Sequence, residues 1–329
     1  MRAPEFWQVR GPAACLLAPL GAVIAAAGTL RRRLKTPERV AVPVICVGNL
    51  VVGGAGKTPV ALALIALLND LDMRVHILTR GYGGSLAGPI LVDPSNHDAA
   101  SVGDEPLLLA TRAPTWVSHD RAAGARAAVA AGANVIVMDD GLQNGDLAHD
   151  WDIIVIDGGV GFGNGLLMPA GPLREPIAAG VARARFAIII GDDRSQAAVA
   201  LGADLPILRA RLKALGSPQE WAGRRVLGFA GIGRPKKFFE TLRALDAVLV
   251  DEVAFSDHHP YEIAEIEALR RRARELDAAL ITTEKDFIRL PMGERSGIGV
   301  LPVELEWAAA AEAKIRAALV ELFDHSVKP

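Results

Sequence analysis

The run Gly48-Asn49-Leu50-Val51-Val52-Gly53-Gly54-Ala55-Gly56-Lys57-Thr58 constrains the fold of this chain more than any other feature. A short apolar stretch, Pro43 to Val47, leads into it, and an apolar helical pattern, Pro59 to Leu68, leaves it. Strand, glycine-rich turn and helix in that order make a phosphate-binding loop. Glycines let backbone N–H groups approach phosphate oxygens, the lysine reaches the β- and γ-phosphates, and the threonine hydroxyl serves Mg²⁺. The generic pattern places a glycine where this chain has Val51; here the glycines stand at 53, 54 and 56. The bland reading is a glycine-rich turn with a surface lysine. Intact Gly56-Lys57-Thr58 between strand and helix favours the nucleotide site. Val51, Val52, Gly53, Gly54, Ala55, Gly56, Lys57 and Thr58 are its expected residues, with ATP and Mg²⁺ as cofactors.

Such a loop needs a second acid at the end of another buried strand. Val135-Ile136-Val137-Met138 runs into Asp139-Asp140-Gly141 and supplies it. Asp157 ends the next strand as a weaker candidate. Short, continuous Val/Ile-rich runs recur down the chain, at 74–78, 115–118, 153–156, 186–190, 206–212, 226–230, 247–253, 280–282 and 299–303. Strands that are continuous rather than alternating are buried on both faces, as in a parallel sheet covered by helices. The spacing predicts helices over 106–111, 122–131, 235–245, 261–276 and 307–322. The expected fold is α/β: a P-loop NTPase-like parallel sheet covered by helices, a smaller C-terminal α/β lobe and an N-terminal membrane-associated helix. The division falls at 1–35, 36–215 and 216–329, with Gly216-Ser217-Pro218 as a linker.

The N-terminal part differs from the rest. Gly11 to Leu30 carries no charged residue; Arg10 precedes it, and Arg31, Arg32, Arg33 and Lys35 follow. Its length would just cross a bilayer core. Pro12 and Pro19 weaken a clean span and favour a peripheral or monotopic anchor. The basic cluster lies after the apolar run, which is wrong for an export signal and keeps that side cytoplasmic. It is placed to meet anionic headgroups. The alternative is a buried N-terminal helix of a soluble protein. Composition excludes other classes: hydrophobic residues are 51% and charged residues 22%, so the chain is not disordered as a whole. Lys plus Arg is 36 against 38 Asp plus Glu, a net charge of -2, which argues against a nucleic-acid binder. No protein partner is inferred. Cys15 and Cys46 make neither a disulfide scaffold nor a zinc spacing.

Gly103-Asp104-Glu105-Pro106 puts two acids before a helix, where carboxylates often only cap. Ser256-Asp257-His258-His259 lacks a third ligand at metal spacing. Neither persuades alone, but the ordered set is far more specific. The loop running into Pro59, Arg80-Gly81-Tyr82-Gly83, Gly103 to Pro106, Asp139-Asp140-Gly141-Leu142-Gln143, Pro169-Ala170-Gly171-Pro172-Leu173-Arg174-Glu175, Asp257-His258 and Thr282-Thr283-Glu284-Lys285-Asp286 together resemble the tetraacyldisaccharide 4'-kinase family of lipid A biosynthesis, over nearly the whole chain. Arg234 stands where an Asn-like residue is expected.

The resemblance implies transfer of the ATP γ-phosphate to the 4'-hydroxyl of a tetraacyl-glucosamine-disaccharide 1-phosphate. That glycolipid lies in the cytoplasmic leaflet of the inner membrane. It also implies roles. Lys57 serves the β/γ-phosphates. Thr58, Asp139, Asp140 and Glu105 surround Mg²⁺. Asp104 is the base, paired with His258. Arg174, Arg121 and Asn49 are candidates for anionic groups of ATP or substrate, although Arg121 also reads as a surface residue on a helix's first turn. A P-loop ATPase or synthetase with a different acceptor would share the loop and its acids but not need the apolar segment. A non-catalytic nucleotide-binding membrane protein would not need the acids.

Overall fold

The computed structural model describes residues 4–216 and 218–326. A long helix, α1 (Pro12–Arg33), precedes the first lobe. The first lobe then runs β1 (Val44–Gly48), α2 (Lys57–Asn69), β2 (Val75–Thr79), β3 (Ile90–Leu91), α3 (Ala99–Val102), α4 (Asp104–Ala110), β4 (Thr115–Val117), α5 (Arg121–Ala130) and β5 (Val135–Asp139). It continues with β6 (Trp151–Asp157), α6 (Ile177–Val181), β7 (Ala184–Ile190), α7 (Ala197–Leu201) and β8 (Ile207–Ala214). The second lobe holds α8 (Pro218–Trp221), β9 (Arg225–Ala230), α9 (Pro235–Ala244), β10 (Val248–Ala254), α10 (Ile263–Glu275), β11 (Ala279–Thr283), α11 (Glu284–Arg289) and β12 (Ile298–Leu301). The chain ends with β13 (Val303–Trp307) and α12 (Ala309–Ser326).

The large sheet has the order β13-β8-β7-β6-β1-β5-β2-β4-β3. Its seven inner strands are parallel, and β3 and β13 close the edges antiparallel. Burial on both faces explains the continuous apolar strands. Along β1, Ile45 and Val47 pack against Val60, Leu64 and Leu68 of α2, while Val44 and Cys46 face the layer holding Ala125 and Ala128 of α5. All carboxyl ends of a parallel sheet lie on one edge. Val47 pairs with Asp139, so the phosphate loop and the double aspartate emerge side by side. The second sheet, β10-β9-β11-β12, is wholly parallel and has its own apolar layers on both faces.

One expected strand, 299–303, is two strands in different sheets. Pro302 has no N–H to donate, so a ladder cannot run through it. β12 stays in the second sheet, and β13 crosses back to pair with β8. Residues 303–326, which the sequence division placed in the second lobe, therefore build on the first. The outgoing and returning connections touch, with Leu215 N–H donating to Pro302 O at 2.9 Å. Ser217 of the expected linker lies outside the described residues.

α1 is continuous through Pro19, and Pro12 occupies its first turn, where a missing N–H costs nothing. Pro12–Leu30 has a mean hydropathy of 2.0 and is only 11% buried, so it is long and apolar enough to cross a membrane by length and composition. Leu16, Leu20, Val23, Ile24 and Leu30 are exposed, which rejects the buried-helix alternative. The basic cluster departs from expectation. Arg32 pairs with Glu175 at 3.2 Å and Lys35 pairs with Asp146, so both are spent on protein acids rather than left for headgroups. The side chains of Arg31 and Arg33 lie outside the described set.

Candidate functional site

The phosphate loop is shaped by its own polar residues and by a second loop. Gly53 and Gly56 have φ of 115° and 87°, conformations that favour glycine. A Cβ on Gly56 would also meet Ile190 Cδ1 at 2.5 Å. Asn49 was expected to face substrate. It is instead wholly buried, donates to Gly53 O at 3.1 Å and accepts from Lys57 Nζ at 3.3 Å. Its amide holds the loop and the lysine. Val51 and Val52 also differ from the expectation. Val51 bridges antiparallel to Leu173, and Val52 N–H donates to Pro172 O at 2.8 Å. The missing glycine at 51 is thus accounted for: that stretch is strand-paired to the Pro169–Glu175 motif. The turn at 53–56 takes no part in that pairing.

Lys57 is buried and lies 3.4 Å from Asp140 Oδ2. Arg174 grips the same carboxylate through both nitrogens, at 2.8 and 3.3 Å. Gln143 extends the set, donating to Asn49 O at 3.3 Å and to Glu175 Oε1 at 2.8 Å. Glu175 is almost fully buried and also takes Arg183 and Arg32. Asp139 is different. It has no exposed surface, and neither carboxylate oxygen has a hydrogen-bond partner among the described residues. Burial, and then the Glu105 charge, push its pKa up. A buried carboxylate without partners is costly unless a cation serves it. Arg121 is buried rather than on the surface. Its Nε has no partner among the described residues, and burial followed by the Arg80 charge lowers its pKa to about 10. Asp157, the weaker acid candidate, is taken by Arg234 of the second lobe and by Gly159 N–H.

The second half of the site forms where the lobes meet. α4 begins at Asp104 after Gly103, whose φ is 92°. Asp104 Oδ1 accepts the N–H of the next residue, Glu105, at 3.0 Å, but the N-cap position is Gly103, so Asp104 is not the helix cap. Its Oδ2 lies 3.0 Å from His258 Nδ1 and 3.2 Å from Arg289 Nε, both from the second lobe. Burial pushes the Asp104 pKa up, but the His258 hydrogen bond and the charges of His258, Lys285 and Arg289 outweigh it and hold it at about 2. The same bond raises His258. Tyr82 of the Arg80–Gly83 motif stands edge-on to the His258 ring, with centroids 6.1 Å apart. Glu105 Oε1 lies 3.4 Å from Thr58 Oγ1 and 2.6 Å from Lys285 Nζ. Lys285, Arg289, Gln143 and Glu175 were given no role from sequence, though all but Arg289 lie inside the quoted motifs.

A glycine-rich loop at the carboxyl edge of a parallel sheet, with Lys57, Thr58 and a strand-end aspartate, defines a P-loop nucleotide-binding protein of the phosphotransferase kind. The family model described as tetraacyldisaccharide-1-P 4'-kinase (LpxK) matches residues 13–321. A tetraacyldisaccharide 4'-kinase of Rhodospirillum centenum is 53% identical over 315 residues, covering 93% of each chain. One from Methylobacterium sp. is 53% identical over 329 residues, covering 98% of each. Among solved structures, the crystal structure of the "apo" form of LpxK from Aquifex aeolicus in complex with ATP superposes with a TM-score of 0.76 at 25% identity, covering 94% of this chain and 99% of that one. The chain belongs to the tetraacyldisaccharide-1-P 4'-kinase family.

Proposed function

We propose that this chain transfers the γ-phosphate of ATP to the 4'-hydroxyl of a tetraacyl-glucosamine-disaccharide 1-phosphate in lipid A biosynthesis. The observation that carries the reading is the meeting of two half-sites, the Lys57–Thr58 loop and the Asp104–His258 pair, with Glu105 reaching from one to the other. A phosphate-binding ATPase needs only the first. Family membership selects the kinase over the ATPase, synthetase and non-catalytic alternatives.

Phosphoryl transfer asks mainly for positioning and charge neutralisation. Lys57 supplies charge to the β/γ-phosphates, held on line by Asn49 and Asp140. The unpartnered Asp139 carboxylate, with Thr58 and Glu105 close by, fits Mg²⁺. Asp139, Thr58 and Glu105 would hold the ion, which would supply positive charge against the phosphates during transfer. Asp140 is tied to Arg174 and Lys57, which suits it to act through water or by fixing those cations. Arg174 and Arg121 bring positive charge to the phosphate side. The 4'-hydroxyl proton passes to the Asp104–His258 pair, which accepts it as a unit. Asp104 supplies the negative charge, and His258, more exposed than its partner, is the member of the pair an acceptor could reach.

The exposed apolar face of α1 enters the cytoplasmic leaflet of the inner membrane, where the glycolipid lies. Trp7 Nε1 donates to Pro169 O at 2.9 Å, and Arg32 meets Glu175 in the same loop motif. The anchor is therefore fastened to the loop that carries Arg174. The test is acceptor dependence. With detergent-dispersed lipid disaccharide, ATP consumption should rise at least about tenfold over the rate without it. Turnover indifferent to the lipid would contradict the reading.

A further inference from the structure

A second lysine stands at the lobe junction without a part in the mechanism above. Lys285 lies in the first turn of α11, and its Nζ is 2.6 Å from Glu105 Oε1. That oxygen is in turn 3.4 Å from Thr58 Oγ1, the last residue of the phosphate loop. An ammonium from the second lobe thus ends two contacts from the place where phosphates sit. Lys57 and Lys285 approach the same acids from opposite lobes: both charges act on Glu105 and on Asp139.

α11 is fixed well enough to aim that lysine. Thr283 caps it, with Asp286 N–H donating to Thr283 Oγ1 at 3.1 Å. Asp286 is wholly buried and accepts Gly231 N–H at 2.8 Å and Tyr261 O–H at 2.7 Å, and Arg289 lies 3.2 Å from it. Arg289 already ties α11 to α4 through Asp104, with both side chains almost fully buried. The lobes are therefore fastened without Lys285. Its side chain keeps 29% exposure, and its partner Glu105 keeps 25%, so this pair faces the cleft rather than the core. A partly exposed ammonium thus stands beside the phosphate loop, paired with Glu105.

We propose that Lys285 is a catalytic cation supplied by the second lobe, moving from Glu105 to the γ-phosphoryl group as it is transferred. The inference rests on the kinase reading. In the step, the bond from the γ-phosphorus to the ADP oxygen breaks and the bond to the 4'-oxygen forms. The hydroxyl proton goes to the Asp104–His258 pair. Lys285 keeps its proton throughout and contributes only charge, as a residue reaching in from outside the loop does in other phosphoryl transfers.

The experiment measures lipid phosphorylation by the full-length protein and its variants. Lys285→Ala should lower kcat on the order of 10²-fold with KM for ATP changed less than about threefold, because the contact is made in the transition state. Lys285→Arg, which keeps the charge, should recover about tenfold of that loss. Should Lys285→Ala fail to fold, Lys285→Gln keeps the stem and a hydrogen bond to Glu105 and should show the same loss. A folded, uncharged variant with near-normal kcat overturns the proposal, as does a loss seen only in melting temperature. If the wild-type protein consumes ATP without phosphorylating the lipid, the kinase reading fails. The same variants are then compared on that remaining turnover, so the two failures stay separate.

Discussion

The phosphate loop and the lobe junction are built in opposite ways. The loop is local: Asn49, Gly53, Gly56 and Lys57 sit within nine residues and shape one another. The junction is assembled from afar. Asp104 and Glu105 come from the first lobe, and His258, Lys285 and Arg289 reach them across more than 150 residues of chain. A local device can be carried by many P-loop proteins. A long-range one needs both lobes, and on the proposed reading it is the half that serves the alcohol acceptor. The comparison predicts that damage to the loop removes ATP use, whereas damage to the junction removes transfer and leaves ATP binding in place.

The largest effect is expected at Lys57. Lys57→Ala should cost at least about 10²-fold in kcat/KM, since it removes the charge the loop is built to place. Near-normal activity in the purified variant would break the loop half of the comparison. Asp104→Asn should lower kcat by about 10²-fold while ATP binding persists. Asn can still accept Glu105 N–H, so a role confined to that bond would tolerate it. The variant should also lose about 1–3 kcal/mol of stability, because the buried Arg289 loses one of its two counter-charges and keeps only Asp286. Calorimetry and single-turnover transfer separate the two losses. A variant that melts earlier yet transfers phosphate normally would reduce Asp104 to a structural role.

A pH profile sharpens the same point. Asp104 stays ionised to about 2, so its contribution to stability is present above the ordinary carboxylate range and is lost only as pH falls toward that value. His258 is raised above its ordinary 6.5. Its contribution to stability is full below that ordinary value and fades as pH climbs through the raised one. Activity runs the other way, because a protonated His258 leaves the pair no room for the substrate proton. The acid limb of kcat should have its midpoint above 6.5 and should vanish in His258→Gln. A limb that persists unchanged in that variant would assign it to another group.

Removing residues 1–35 should abolish most pelleting with anionic vesicles and lower activity on the membrane lipid by about tenfold. High salt should weaken vesicle binding only partly, since apolar burial is not screened. ATP affinity should shift less than about threefold, because Arg183 still covers Glu175 after Arg32 is gone. Unchanged vesicle binding would place the anchor elsewhere. The smallest effect is expected at the exposed pair of Arg234 and Asp157. Arg234→Asn should change kcat/KM by less than about threefold, as surface ion pairs contribute roughly 0–1 kcal/mol.

The same contrast decides what was legible in the sequence. Gly53 to Thr58 and Asp139-Asp140 were readable because strand, turn and acid follow one another along the chain. The parallel sheet was readable from its continuous apolar strands. The crossing at Pro302 was not, since a run of apolar residues does not show that its two halves belong to different sheets. Arg121 looked like a first-turn surface residue, and only the packed fold buries it beside the acids. Arg32 and Lys35 read as membrane-facing charges, but Glu175 and Asp146, more than 100 residues away, claim them. The Thr282–Asp286 motif was visible, yet Lys285 acquires meaning only when Glu105 is brought to it.

The most direct test follows the label from γ-labelled ATP into the glycolipid and locates it on the sugar. The account predicts label on the 4'-oxygen of the tetraacyldisaccharide 1-phosphate with the wild-type protein, and loss of that product in Asp104→Asn while ATP still binds. Label released only as inorganic phosphate, or attached at another oxygen, would contradict it.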